Sequence, residues 1–294
     1  MLAAERCVAC GQPLGNDIAK LRCPRPITGG SLIKCRGCAT VQVVPRPTQE
    51  ELDRLYDRPY YEEFERSYGL SGGNDAVSPA LVQRLSELTS IVGRPGRIVD
   101  VGCGVGHFVG HASRAGWNAI GVDPSAWAAE QARLRYGVNV HACALEEAPI
   151  EKGSLDVVHA NHVLEHTLRP ATTLEAAYQV LRPGGLLSIE VPQELRYPMS
   201  DRVFGWIFGT SEGPAPPATY HLEFFSPIGL RRAARQAGFE VLRCTTVRRL
   251  RGRASRFPFG AAAKAVLYWA EEQTGSAPDI VLLARRPKSG RTGA

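Results

Sequence analysis

The 294-residue chain is short of aromatic side chains, at 7%, and has only two methionines. It contains no uninterrupted apolar run near the roughly 18 residues needed to cross a bilayer. Glu5, Arg6 and two early cysteines stand where an apolar signal segment would be, so the expectation is a cytoplasmic protein without a membrane partner. With 44% hydrophobic and 22% charged residues, a chain of this length can bury a substantial core, which excludes wholesale disorder, a collagen-like repeat and a small disulfide knot.

What is present is unevenly spread. Five of the eight cysteines, Cys7, Cys10, Cys23, Cys35 and Cys38, fall in the first 38 residues, and Cys103, Cys143 and Cys244 are scattered later. Clustered pairs in a reducing compartment point to metal before disulfide. Cys7-x-x-Cys10 and Cys35-x-x-Cys38 are two knuckles that can present four thiolates to one tetrahedral ion, with Gly11 after the first, Gly37 inside the second and Cys23 left as a spare thiol. Four thiolates leave no position open for water, so one structural zinc ion is expected.

The net charge of +6 is also localised. From Arg231 to Ala294 there are 14 basic against 4 acidic residues, while residues 1–230 carry 21 against 25. Arg248, Arg249, Arg251, Arg253 and Arg256 form a basic run, but the lack of interleaved aromatics apart from Phe257 and Phe259 favours a solvated segment over a nucleic-acid surface.

Three segments follow from the pattern. Residues 1–47 form a Cys-, Gly- and Pro-rich module ending at Pro45-Arg46-Pro47. Residues 48–95 read as a helical linker and substrate cover. Thr48 caps a helix to about Asp57, a tyrosine-rich linker follows, and Ser78-Pro79 starts a helix with Leu81, Leu85, Leu88 and Val92 at helical spacing. Over 96–288, apolar runs at 98–101, 119–122, 138–141, 155–158, 186–191, 239–246 and 280–284 alternate with helical stretches. This is the pattern of an open, parallel, doubly wound α/β sheet, here of seven strands. Residues 192–220 interrupt it with five prolines among Phe204, Trp206, Ile207 and Phe208, and read as a lid over a substrate site.

Ile98-Val99-Asp100-Val101-Gly102-Cys103-Gly104-Val105-Gly106-His107 runs from a strand through a glycine turn into a helix. Glycines there let a ligand approach the backbone and face the helix N-terminus. The third glycine comes one place too early for the dinucleotide fingerprint. Asp123 ends the next strand, where a carboxylate can accept hydrogen bonds from two ribose hydroxyls.

These blocks, with Gly121-Val122-Asp123-Pro124-Ser125, Leu155-Asp156-Val157-Val158, Val163-Leu164-Glu165-His166 and Val180-Leu181-Arg182-Pro183-Gly184-Gly185, resemble the class I S-adenosylmethionine-dependent methyltransferases. His221-Leu222-Glu223-Phe224-Phe225-Ser226-Pro227 and Ala237-Gly238-Phe239 extend the likeness to the subfamily that methylates small molecules, and the cysteine block resembles the zinc module found ahead of many of its members. The resemblance implies a Rossmann-like sheet and S-adenosylmethionine as cofactor. Gly102, Gly104 and Gly106 would pack against its methionine part, Asp100 would orient the ammonium, Asn161 would add a backbone carbonyl, Asp123 would hold the ribose, and the backbone near Leu145 would meet the adenine.

Methyl transfer from a sulfonium needs an aligned acceptor and, for a hydroxyl, removal of its proton. His166, after the fourth strand, and His221, after the lid, are the candidate bases. Tyr60, Tyr61, Tyr197, Trp206 and Tyr220 are candidate pocket lining. The expected function is methylation, preferably on oxygen, of a small polar acceptor such as a sugar or natural-product intermediate. An RNA or protein methyltransferase is the alternative, weakened because Asn161 is followed by His162 where amino-methylating enzymes carry Pro-Pro; a non-catalytic cofactor-binding module is the third reading. Oligomeric state is not encoded in any pattern of the sequence.

Overall fold

Strand residues alternate between two faces, and in this chain both faces are apolar, so the sheet must be covered on both sides. The computed structural model describes residues 6–14, 21–22, 31–54, 56, 58–67, 78–193, 221–248 and 261–288. A seven-stranded sheet has the spatial order β10-β11-β8-β7-β4-β5-β6. Its members are β4 (Arg97–Val101), β5 (Asn118–Val122), β6 (Asn139–His141), β7 (Leu155–Asn161), β8 (Leu181–Pro192), β10 (Glu240–Val247) and β11 (Asp279–Arg285). Strands β6, β5, β4, β7 and β8 are mutually parallel, and β11 runs antiparallel between β8 and β10. The sheet has the seven strands expected, but it is not parallel throughout: β11 runs opposite to both of its neighbours.

Ile98, Val157, Leu186 and Leu283 face Leu85, Leu88, Phe108 and Trp117, supplied by α3 (Pro79–Val92), α4 (His107–Arg114) and the turn after it. Their neighbours Val99, Val158, Leu187 and Leu282 face the other way, onto Leu174 and Ala177 of α6 (Pro170–Val180) and Leu230, Ala233 and Ala234 of α7 (Pro227–Gln236). Each fully buried Leu or Ile contributes about 1.5–3 kcal/mol by leaving water. Helix α5 (Ala126–Tyr136) packs its small Ala129 and Ala132 beside β6, and α8 (Ala261–Thr274) precedes β11. Ser78, Ser125 and Ser226 cap α3, α5 and α7 through side-chain oxygens, which is why those helices start where they do.

The N-terminal residues build a second sheet, β1 (Leu21–Arg22), β2 (Ser31–Lys34) and β3 (Val41–Val44), completed by β9 (Glu223–Phe224). Pairing of Val41 with Phe224 and of Gln42 with Glu223 joins the cysteine segment to the chain just after His221. Leu32, Val41, Val43 and Phe224 form its apolar core.

Beyond shifts of one to three residues at strand ends, the elements differ from the sequence expectation at three places. The helix after Thr48 is α1 (Gln49–Asp53), shorter than expected, though its capping box is complete. The tyrosine segment read as a linker contains α2 (Arg58–Ser67). Strand β8 starts at Leu181, because Leu155 pairs with Leu181 and the Arg182–Gly185 stretch continues the edge rather than forming a separate turn. Cys23, Tyr197, Trp206, Tyr220, most of the 192–220 segment and the arginines from Arg249 to Arg256 lie outside the described residues.

Candidate active site and cysteine cluster

Strands β4, β5 and β7 are parallel, so their C-terminal ends bring Asp100, the glycine turn, Asp123 and Asn161 to one edge of the sheet. Gly102, Gly104 and Gly106 have φ of 62°, 52° and 92°, the left-handed region that a side chain disfavours. A Cβ on Gly102 would also lie 2.5 Å from Val163 Cγ2, so the turn can pass under the β7 loop only as glycine.

Both strand-end carboxyls are buried. Asp100 Oδ1 lies 2.7 Å from His159 Nδ1, and that imidazole stacks on Phe108 with ring centroids 3.8 Å apart. Burial raises the Asp100 carboxyl above its ordinary range, with the His159 contact pulling the other way. Asp123 accepts from Gly104 N–H at 2.8 Å, Ser125 N–H at 2.9 Å and the Tyr61 hydroxyl at 3.0 Å. Its carboxyl is likewise raised by burial, against those donors. An ammonium at Asp100 and hydroxyl donors at Asp123 would favour the ionised forms that burial opposes, so the pair suits the amino-acid and ribose parts of S-adenosylmethionine. Asn161 ends β7 half-buried, next to Glu190 on β8. Leu145, in a short 3₁₀ turn, points its side chain into the core, which leaves only its backbone for an adenine.

His166 and His221 come together although 55 residues apart: their rings are 4.6 Å apart, edge to face. Between them lies Glu165, fully buried, with Oε1 at 3.8 Å from His166 Nε2, 4.0 Å from His221 Nε2 and 3.4 Å from His162 Nδ1. Burial would raise the Glu165 carboxyl, yet the His162 contact and the three imidazoles hold it below the ordinary range. Burial opposes the charged His162 imidazole, but the Glu165 contact together with the nearby Asp279 and Glu190 charges outweighs it and raises its titration. His166 Nδ1 is 2.7 Å from the Tyr56 hydroxyl. The backbone N–H of Leu222 donates to Glu165 O at 2.8 Å and locks the two histidine segments side by side.

The second sheet supports this cluster. Arg46, just past β3, donates to Thr167 O at 3.0 Å and Leu168 O at 2.8 Å, and its guanidinium meets Glu223. Burial lifts Glu223 to about 8 despite Arg46.

Cys7, Cys10, Cys35 and Cys38 are all buried, with sulfurs within 4.8 Å of one another. Cys7–Cys38 and Cys10–Cys35 Sγ separations are 3.6 Å, too long for disulfides. A tetrahedral zinc with bonds of about 2.3 Å sets its sulfurs roughly 3.8 Å apart, so the four thiols fit that ion. The hydrogen bond from Cys7 lowers the Cys38 thiol and correspondingly raises Cys7, so one thiol of the pair ionises readily. Left-handed residues close both knuckles, Gly11 in the first and Ala39 in the second.

Three participants escaped the sequence reading. His159 carries no sequence motif and meets Asp100 only through the β4–β7 register. Tyr56, and the contact of Tyr61 with Asp123, depend on where α2 packs. Glu165 sits at the centre of the imidazoles, a position that no local motif reveals. Of the basic run, Arg248 is spent internally, in a bidentate contact with the buried Glu271 at 2.5 and 3.1 Å.

Comparison with known proteins agrees with the sheet. The family model described as a methyltransferase domain matches residues 74–243. The ubiquinone biosynthesis O-methyltransferase of Aromatoleum aromaticum is 31% identical over 171 residues, 56% of this chain and 72% of that protein. An uncharacterized 37.1 kDa protein in a Streptomyces fradiae transposon is 37% identical over 113 residues, 36% of this chain, and the match spans 33% of that protein's length. In structure, the Burkholderia thailandensis 1,6-didemethyltoxoflavin-N1-methyltransferase, bound to 1,6-didemethyltoxoflavin and S-adenosylhomocysteine, superposes with a TM-score of 0.53 at 19% identity, over 88% of this chain and 96% of that one. No helix among the described residues is long and apolar enough to cross a membrane. With more than half of its length matched by that model, the chain belongs to the methyltransferase domain family.

Proposed function

We propose that the protein transfers a methyl group from S-adenosylmethionine to an oxygen of a small polar metabolite. The observation that carries this reading is the placement of two imidazoles and a fully buried carboxylate at the same sheet edge as the Asp100–Asp123 pair. Asp100 holds the cofactor's ammonium, Asp123 its ribose, and the glycine turn lets its methionine part lie against the backbone. The cofactor supplies an electrophilic methyl group on a sulfonium. The chain's part is to align the acceptor, exclude water and take the hydroxyl proton. His166 or His221 accepts that proton, and the imidazolium so formed faces ionised Glu165, whose charge stabilises it. The likeness to an O-methyltransferase over 72% of that protein's length supports oxygen as the acceptor atom. The cysteine cluster holds one structural zinc.

Titration with S-adenosylmethionine and S-adenosylhomocysteine, with NAD as control, tests the cofactor; micromolar binding of the first two alone is expected. Methyl transfer from labelled cofactor to a panel of hydroxylated small molecules tests the reaction. Labelling of RNA or protein in place of every small molecule would overturn the acceptor class.

A further inference from the structure

A carboxylate offers about four acceptor positions on its two oxygens. At Asp123 three are filled, by Gly104 N–H on Oδ2 and by Ser125 N–H and the Tyr61 hydroxyl on Oδ1. The two backbone donors belong to turns that the fold requires. Tyr61 comes from α2, whose hold on this edge is made by side chains: Tyr61 lies 6.0 Å from the Trp127 ring, and the Arg58 guanidinium lies 6.0 Å from the same ring. A ribose diol donating both hydroxyls needs two positions, and the contacts among the described residues leave one. The Tyr61 ring also covers the glycine turn, since a Cβ on Gly104 would lie 3.6 Å from its Cε1.

We propose that Tyr61 gates the cofactor site: its hydroxyl occupies the ribose position on Asp123 until the cofactor displaces it, and it thereby sets cofactor affinity. The proposal rests on the assignment of Asp123 to the ribose. Burial and the facing Asp123 keep the Tyr61 phenol protonated, so it remains a donor at working pH. Displacement has a second consequence. Tyr61, Tyr60 and Tyr56 form an edge-to-face ladder with centroids 5.2 and 5.1 Å apart, and Tyr56 ends it on His166 Nδ1. Movement of Tyr61 therefore reaches, through these rings, the hydroxyl held on the candidate base. Apparent affinity is the intrinsic affinity reduced by the fraction of molecules with the gate open.

Tyr61→Phe keeps the ring and removes the competing donor. Calorimetry and stopped-flow binding of S-adenosylhomocysteine to the full chain should show affinity about three- to tenfold tighter than wild type, chiefly through faster association. Unchanged or weaker binding overturns the gate, and weaker binding makes Tyr61 a cofactor ligand instead. Asp123→Ala, measured beside it, tests the underlying assignment: if that variant binds as wild type does, Asp123 does not hold the ribose and the gate fails with it. If neither wild type nor Tyr61→Phe binds, the cofactor reading itself fails.

Discussion

The Asp100–Asp123 group and the histidine cluster lie at the same end of the sheet but are assembled differently. Asp100, the three turn glycines and Asp123 all lie within 24 consecutive residues, and two parallel strands with their turns place them. Glu165, His166 and His221 are brought together by the β7 loop, by β9, and through β9 by the N-terminal sheet that carries the cysteines. Local construction makes the first region robust to loss of a distant element. The second depends on Arg46, on the β3–β9 pairing and on the four thiols.

Separating these regions is the strongest test. Cys35→Ser should reduce zinc from about one ion per chain to near none and lower Tm by on the order of 10 °C, because metal binding and folding of such a module are one process. Methyl transfer should fall by more than about 100-fold while S-adenosylhomocysteine affinity stays within about threefold; equal loss of both, read by metal analysis, calorimetry and turnover, would show that the two regions are not separable. The converse variant, Asp123→Ala, should weaken cofactor binding by about 100-fold, corresponding to roughly 2.7 kcal/mol for lost hydrogen bonds to a charge, with Tm shifted by only a few degrees. Glu165→Gln should lower kcat about 10- to 100-fold with cofactor affinity unchanged, since it removes the charge facing the imidazolium. A parallel loss of affinity would place Glu165 in the cofactor site instead.

A pH titration sharpens the contrast further. Glu223, at about 8 in the fold, holds a proton that the unfolded chain releases near its ordinary value of 4.5. Between those values the native state binds more protons, so stability falls as pH rises, and Glu223→Gln should flatten that part of the Tm–pH curve. A curve of unchanged slope would mean that Glu223 is ionised against Arg46. The smallest effect belongs to Ser226, which accepts from Gly229 N–H at 2.9 Å to cap α7 and donates to Cys38 O. Ser226→Ala should cost about 1–2 kcal/mol in denaturant unfolding, and no change would show that the cap and the tie to the knuckle carry no stability.

The seven strands of the large sheet, β4–β8, β10 and β11, are legible as short β-prone runs between helical stretches, whereas β9, two residues long, is not. The reversal of β11 is not legible either, since an apolar run reads the same in either direction. The helix α2 was hidden by its composition: Arg58-Pro59-Tyr60-Tyr61 lacks the apolar spacing of a core-facing helix, and its tyrosines pack on Trp127 and on one another instead. Pro45-Arg46-Pro47 read as a boundary, whereas Arg46 reaches across to Thr167, Leu168 and Glu223.

The sequence by itself determined the cysteine knuckles, the glycine turn and the two strand-end aspartates, because their chemistry needs particular residues at short, fixed spacing. Tertiary structure alone decided that His159 faces Asp100, that Tyr61 sits on Asp123 and that Glu165 gathers three imidazoles. Those contacts depend on strand register and helix docking, which arise from apolar burial summed over the whole core, and no short stretch of sequence contains that sum.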